Sequence, residues 1–285
     1  AQLQRALDAV LGAAVTYAAQ HGLTAAAFTF ELPGNNSLKG GRILSLAQKH
    51  TRVAQLGIAQ YWEPSFEEFR ALSPEDFVRR VLVDCFHAKA VFCGGNFTFG
   101  AYAAGNVAVL EQLCAPYGIT VDVVPMAQYG GQTVSSTRIR AALEEGRLDD
   151  ANAMLGKPYA IDWAVTHGKG IGSGKLGTPT INQNYPAEAL QPCTGVYLTR
   201  IWLDGQWRPA ATGIGRRPTV DSSANAAVTC ETFVPDYTGN VYGRAPVLEF
   251  HKYLCPVRKF GSMDELATLI HHAAEESKAY FAAQH

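Results

Sequence analysis

Thr180 and Asn182 stand one residue apart behind Pro179, directly after the glycine-rich run HGKGIGSGKLG. Glycines at 168, 170, 172, 174 and 177 let backbone N–H groups converge on phosphate oxygens, and Lys169 and Lys175 add positive charge. The run is not a Walker A sequence, because G-x-x-x-x-G-K-[ST] does not occur in it, and glycine content alone also suits a plain hairpin loop. Pro179 fixes its own backbone angle, and on a strand Thr180 and Asn182 project to one face. Two neutral oxygen donors on one face suit Mg2+, which keeps several waters and completes its shell with substrate phosphates. Polar residues at a strand edge, bonded to a neighbouring turn, are the competing reading.

Phosphoryl transfer to a hydroxyl also needs a carboxylate that orients or deprotonates the nucleophile. Glu231 is the candidate, since it interrupts the otherwise apolar or neutral strand-like run AVTCETFV; an outward, solvated acid is the alternative. Asp236 and Asp221 lie in turn-like contexts and rank lower. Earlier in the chain, VSSTRIRAALEEG sets Ser135, Ser136 and Thr137 before a helical run carrying Arg138 and Arg140. That pattern binds phosphate at a helix N-terminus, or simply caps the helix. A second glycine-rich loop, GGNFTFGAYAAGN, holds Asn96 and follows a strand-like run.

These residues need elements to position them. LQRALDAVLGAAVTYAAQ has apolar residues at helical spacing and ends at HG, where Gly22 suits a helix C-terminus. AAAFTF, AKAVFCGG and ITVDVVPM are short buried strands, separated by the helical runs SPEDFVRRVLVDCF, with Ser73 and Pro74 at its start, and GNVAVLEQLCAPYG. Strands alternating with helices predict a parallel sheet covered by helices, with ligands at the carboxyl ends of its strands. After LGKPY the texture changes. DWAVTHG, GVYLTRIWLDG, WRPAATGIG, AVTCETFV and APVLEFHKYL are strand-like with turns between them, and helical pattern returns only at SMDELATLIHHAAEESKAYF. This predicts a small antiparallel barrel closed by a terminal helix, with the boundary near residues 156–160.

At 285 residues, 47% of them hydrophobic, the chain can hold two cores. Its 24 lysines and arginines balance 25 acids, which removes any general electrostatic case for nucleic acid or an anionic membrane. The six cysteines show neither CxxC nor zinc-finger spacing and are expected as reduced thiols. No apolar run of about 18 residues occurs, and no basic-then-apolar leader opens the chain. The expectation is a cytoplasmic protein with small-molecule partners.

With these motifs assembled, the chain resembles the prokaryotic bifunctional riboflavin kinase/FAD synthetase family along nearly its whole length. HGKGIGSGKLGTPTIN is similar to the family's glycine loop and Pro-Thr-x-Asn signature; GVYLTRIWLDG, GIGRRPTVD, ETFVPDYTGNVYG and VRKFGSMDEL follow in the family's order. The resemblance implies an α/β plus β architecture. A Rossmann-like nucleotidyltransferase domain over 1–157 precedes a small antiparallel β-barrel riboflavin kinase domain, with a C-terminal helix, over 158–285. It implies that Thr180 and Asn182 meet Mg2+ and the ATP phosphates. Gly168, Lys169, Gly170, Gly172, Gly174 and Lys175 wrap the nucleotide, and Glu231 is the base for the ribityl 5′-hydroxyl of riboflavin. Arg217 and Arg258 match positions that contact flavin or nucleotide.

In the first half, Asn96, Ser135, Ser136, Thr137 and Arg138 fall on nucleotide-binding motifs of an adenylyltransferase that turns FMN and ATP into FAD and pyrophosphate. Asn96 stands where the family has aspartate, and Cys255 stands where arginine is expected. The family's Phe-Asp-Gly-x-His-x-Gly-His does not precede the first helix, where the chain reads AQLQRALDA, and LPGNNS replaces Pro-His-Pro. Those histidines stabilise charge building on the triphosphate. Either residues upstream of Ala1 carry them, or this half is a structural domain beside a kinase. A non-catalytic flavin or nucleotide sensor on the same two domains is the remaining alternative.

Overall fold

A computed structural model describes residues 3–31, 41–167, 180–216, 228–256 and 263–284. The chain divides into two compact units, Gln2–Asn36 with Leu46–Val134, and Ser37–Ser45 with Ser135–His285.

In the first unit, the alanine-rich helix α1 (Leu3–His21) stops at Gly22, whose φ of 65° only glycine adopts cheaply. Strand β1 (Ala26–Phe28) pairs in parallel with β2 (Gln60–Trp62), and helix α2 (Leu46–Gln55) lies between them in sequence. Helix α3 (Pro74–Phe77) starts as its sequence predicts, with the Ser73 hydroxyl accepting from the Asp76 N–H at 3.1 Å and Pro74 in the first turn. It then widens into a π-helical segment over Val78–Cys85. Strand β3 (Ala90–Gly94) runs parallel to β4 (Thr120–Val124), and helix α4 (Val107–Cys114), capped by Asn106, joins them. Strands β5 (Gln128–Tyr129) and β6 (Gln132–Thr133) form a short hairpin. The predicted strand–helix alternation is therefore present as two parallel pairs. Their shared core gathers Phe77, Val78, Val81, Cys93, Phe99 and Leu110, against which Phe28 and Trp62 pack.

The second unit opens with helices α5 (Ser136–Glu144) and α6 (Leu148–Leu155). Seven strands follow: β7 (Tyr159–Ile161), β8 (Val165–Thr166), β9 (Thr180–Asn184), β10 (Gly195–Leu203), β11 (Gln206–Arg216), β12 (Val228–Phe233) and β13 (Leu248–Cys255). They form one curled antiparallel sheet in the order β7-β13-β10-β11-β12-β9-β8. Asp204 and Gly205, both at positive φ, make the two-residue turn between β10 and β11. That turn matches the right-handed twist of the strands it joins.

Alternation along each strand separates the two faces of the sheet. The inner face holds Tyr197, Ile201, Ile214, Leu248 and Phe250. It also holds a buried chain of hydroxyls in which Thr212 lies 2.8 Å from Thr199 and 2.9 Å from Thr232. On the outer face, Val196, Ala211 and Phe233 are covered by helix α7 (Met263–Ala282) through Ala273 and Ala274. These small residues bring the helix close enough for Ser277 to donate to the Thr199 carbonyl at 3.0 Å.

Farther along the same face, the Arg200 guanidinium stacks on Trp207 at 4.5 Å and donates to Glu249 at 2.6 Å, while His251 lies 3.1 Å from the same carboxylate. Burial pushes the Glu249 carboxyl up, but the hydrogen bonds from His251 and Arg200 outweigh it and hold the group below its ordinary value of 4.5. A depressed carboxylate stabilises the fold above its unfolded pKa, and that contribution disappears as pH falls through the folded value. Glu249→Gln should therefore cost about 1–2 kcal/mol at neutral pH and much less below about pH 4, flattening the acid limb of the stability curve. Urea melts of both proteins from pH 3 to 7 measure this; equal losses at both ends would contradict it.

Candidate active site

Strand β9 is fixed from inside. The fully buried Gln183 amide donates to the Trp163 carbonyl at 2.7 Å and to the Pro246 carbonyl at 3.0 Å. With Gln183 turned inward, Thr180, Asn182 and Asn184 must face outward, as alternation predicts for the first two. The Asn182 amide is oriented further, since its Nδ2 donates to the Thr180 carbonyl at 3.1 Å.

Strand β12 then sets Glu231 directly opposite Asn182 in the antiparallel ladder, and Thr180 opposite Phe233. Directly opposed residues share a face, with Cβ atoms roughly 5 Å apart. Glu231 is the one exposed residue of β12, between buried Cys230 and Thr232. On the inner side of the same strand, burial pushes the Cys230 thiol up to about 12, so it stays protonated. The row across the outer face reads Thr166, Asn182, Glu231, Gly213, Val196 and Cys255. Sequence reasoning missed Thr166 and Gly213. Strand pairing, which a single sequence does not contain, was the signal needed to find them.

Thr180, Asn182 and Glu231 thus form one patch of hard oxygen donors. Among the described residues no group of three or more His, Cys, Asp or Glu could hold a metal ion. A hydroxyl, an amide oxygen and a carboxylate are hard donors of the kind that suit an ion such as Mg2+, which takes one or two protein ligands and completes its shell with water and phosphate. Asp236 lies in a turn at positive φ, 3.4 Å from Lys278, away from this row. Gly168, Lys169, Gly170, Gly172, Gly174, Lys175, Arg217, Asp221 and Arg258 lie outside the described residues.

The remaining candidates are placed separately. In the first unit, Asn96 is exposed just beyond the carboxyl end of β3, in a turn closed by the Phe97 N–H donating to the Gly94 carbonyl at 3.0 Å. In the second, Ser135 caps α5 by accepting from the Arg138 N–H at 3.3 Å. Ser136 and Thr137 are exposed on the first turn, and Arg138 is half-buried. All six cysteines are free thiols, and no described helix is long and apolar enough to cross a membrane.

Residues 155–281 match the family model described as riboflavin kinase, and residues 8–138 match that described as FAD synthetase. A bifunctional riboflavin kinase/FMN adenylyltransferase of Pseudomonas fluorescens is 32% identical over 83% of this chain and 75% of its own. The protein of the same description from Bacillus subtilis is 30% identical over 95% of this chain and 87% of its own. A crystal structure described as a macrolide-efflux protein from Streptococcus pneumoniae has a TM-score of 0.83 over 96% of this chain and 90% of that one. At 22% identity that likeness is one of fold alone. Two family models in tandem and relatives that align across both halves make one assignment: the chain belongs to the bifunctional riboflavin kinase/FMN adenylyltransferase family.

Proposed function

We propose that the chain phosphorylates riboflavin with ATP, giving FMN and ADP, and that residues 158–285 form the kinase domain. The observation that carries this reading is the register that sets Glu231 opposite Asn182 on the outer face of the sheet. In this mechanism the Glu231 carboxylate takes the proton of the ribityl 5′-hydroxyl as that oxygen bonds to the γ-phosphorus, while the bond to the β-phosphate oxygen breaks and ADP departs. Thr180 and Asn182 hold Mg2+, which supplies charge neutralisation on the phosphates when bound. The glycine run from 168 to 175 wraps the nucleotide, and Arg217 and Arg258 contact flavin or nucleotide. Residence in the cytoplasm, where ATP is abundant and thiols stay reduced, belongs to the same proposal.

Residues 1–157 are assigned adenylylation of FMN to FAD, supported by the match of residues 8–138 to the FAD synthetase model. Asn96, Ser135, Ser136, Thr137 and Arg138 are its nucleotide contacts. Purified protein given FMN and MgATP should release pyrophosphate and form FAD; FMN recovered unchanged would leave this half a structural role.

For the kinase, Glu231→Ala should lower kcat by about 10²–10⁴ with an unchanged melting temperature, because the side chain is exposed. Unaltered turnover would remove Glu231 from its role, and tight riboflavin binding by the wild type without FMN formation would make the protein a sensor. Asn182→Ala should raise the Mg2+ concentration for half-maximal rate about tenfold, the effect of losing one ligand worth about 1.4 kcal/mol. A Mg2+ titration at saturating ATP and riboflavin reads this directly.

A further inference from the structure

Residues 41–45 fall within the stretch that matches the FAD synthetase model, yet they belong to the compact unit that carries the kinase sheet. Gly41 lies backbone against backbone on the segment that joins β9 to β10. A Cβ at this position would stand 2.6 Å from the Cα and the N of Leu190 and 2.8 Å from the carbonyl carbon of Ala189, so only glycine fits. The contact is a short parallel bridge. The Arg42 N–H donates to the Glu188 carbonyl at 2.8 Å, and the Leu190 N–H donates to the Arg42 carbonyl at 2.9 Å. Helix α5 anchors both sides of the bridge: Arg140 Nε donates to the Gly41 carbonyl at 2.9 Å, and the Leu143 carbonyl accepts from the Cys193 N–H at 2.8 Å.

The same segment reaches β9 by a second route. The Ser45 hydroxyl donates to the Asp162 carboxylate at 2.9 Å. Asp162 precedes Trp163, whose carbonyl accepts the Gln183 amide that turns Asn182 outward. Residues 41–45 therefore hold β9 from two flanks, at Asp162–Trp163, where Gln183 is fixed, and at 188–190, where the chain runs from β9 toward β10. A donor on a strand gripped at one flank alone can shift, and a displacement of about 1 Å far from the reacting atoms is enough to cost rate.

Resting on the kinase reading, we propose that Gly41 and Ser45 are positioning residues for the kinase, acting through β9 to hold the Asn182 amide in its metal-binding orientation. The kinase thereby borrows a segment from the half of the chain that matches FAD synthetase.

Full-length Gly41→Ala and Ser45→Ala, each alone and each combined with Asn182→Ala, test this. Gly41→Ala must push the bridge apart, and amide hydrogen exchange over residues 180–190 should quicken about tenfold or more. The Mg2+ concentration for half-maximal FMN formation should rise about tenfold in Gly41→Ala, as when an outer partner of a metal ligand is lost. In Ser45→Ala it should rise about threefold, the effect of one hydrogen bond. The riboflavin KM should stay within about twofold of wild type in both. In the Asn182→Ala background neither substitution should raise the Mg2+ requirement more than about twofold further, because the group they act through is gone. Full additivity in the double variants would overturn the proposal, as would an unchanged Mg2+ requirement in both single variants. If Gly41→Ala does not fold, Ser45→Ala, which adds no atoms, carries the same cycle. A wild type that forms no FMN would sink the kinase reading; hydrogen exchange over 180–190 in Ser45→Ala, quickened or unchanged, would still decide whether the segment holds β9.

Discussion

The register between β9 and β12 is the constraint on which the site depends. Side chains alternate with a period of two, so a slip of one residue would carry Thr180 and Asn182 into the interior and expose Gln183. Such a slip is heavily penalised, because the Gln183 amide would lose two buried acceptors whose own carbonyls would be stranded. A neutral, inward-facing amide thus fixes the outward chemistry of its neighbours. The hydroxyl chain of Thr199, Thr212 and Thr232 does the same for β10, β11 and β12, since each threonine is satisfied only in one alignment.

The outer face is divided between packing and chemistry. Where Val196, Ala211 and Phe233 are apolar, α7 seats its alanines and excludes water. Two residues along β11 and β12 the outward positions become Gly213 and Glu231, level with Asn182 on β9 and Val196 on β10. The helix therefore sets an apolar wall beside polar positions, and charge interactions next to such a wall are stronger than in open water.

Much of this was legible in the sequence because it depends on local patterns. Alternation placed Thr180 and Asn182 on one face, and Ser73 with Pro74 announced a helix start. The change of texture after Leu155 separated helix–strand alternation from consecutive strands. What was not legible is non-local. Glu231 and Asn182 are 49 positions apart, and nothing in either segment specifies which residue of one faces which of the other. The hydroxyls at 135–137 stayed ambiguous, because an N-cap and a phosphate site use the same residue types; in the structure Ser135 serves as the cap.

The strand order has a mechanical meaning as well. Strands β7 and β8 lie at opposite ends of the seven-stranded order, yet only residues 162–164 separate them in the chain. In a flat sheet those edges would be about 29 Å apart, six spacings of about 4.8 Å. Four Cα–Cα steps from Ile161 to Val165 reach at most about 15 Å. The peptide Asp162–Ala164 is therefore a covalent hasp: it obliges the sheet to curl until its rims nearly meet, and it withdraws from solvent the open edges along which sheets of neighbouring molecules would otherwise join.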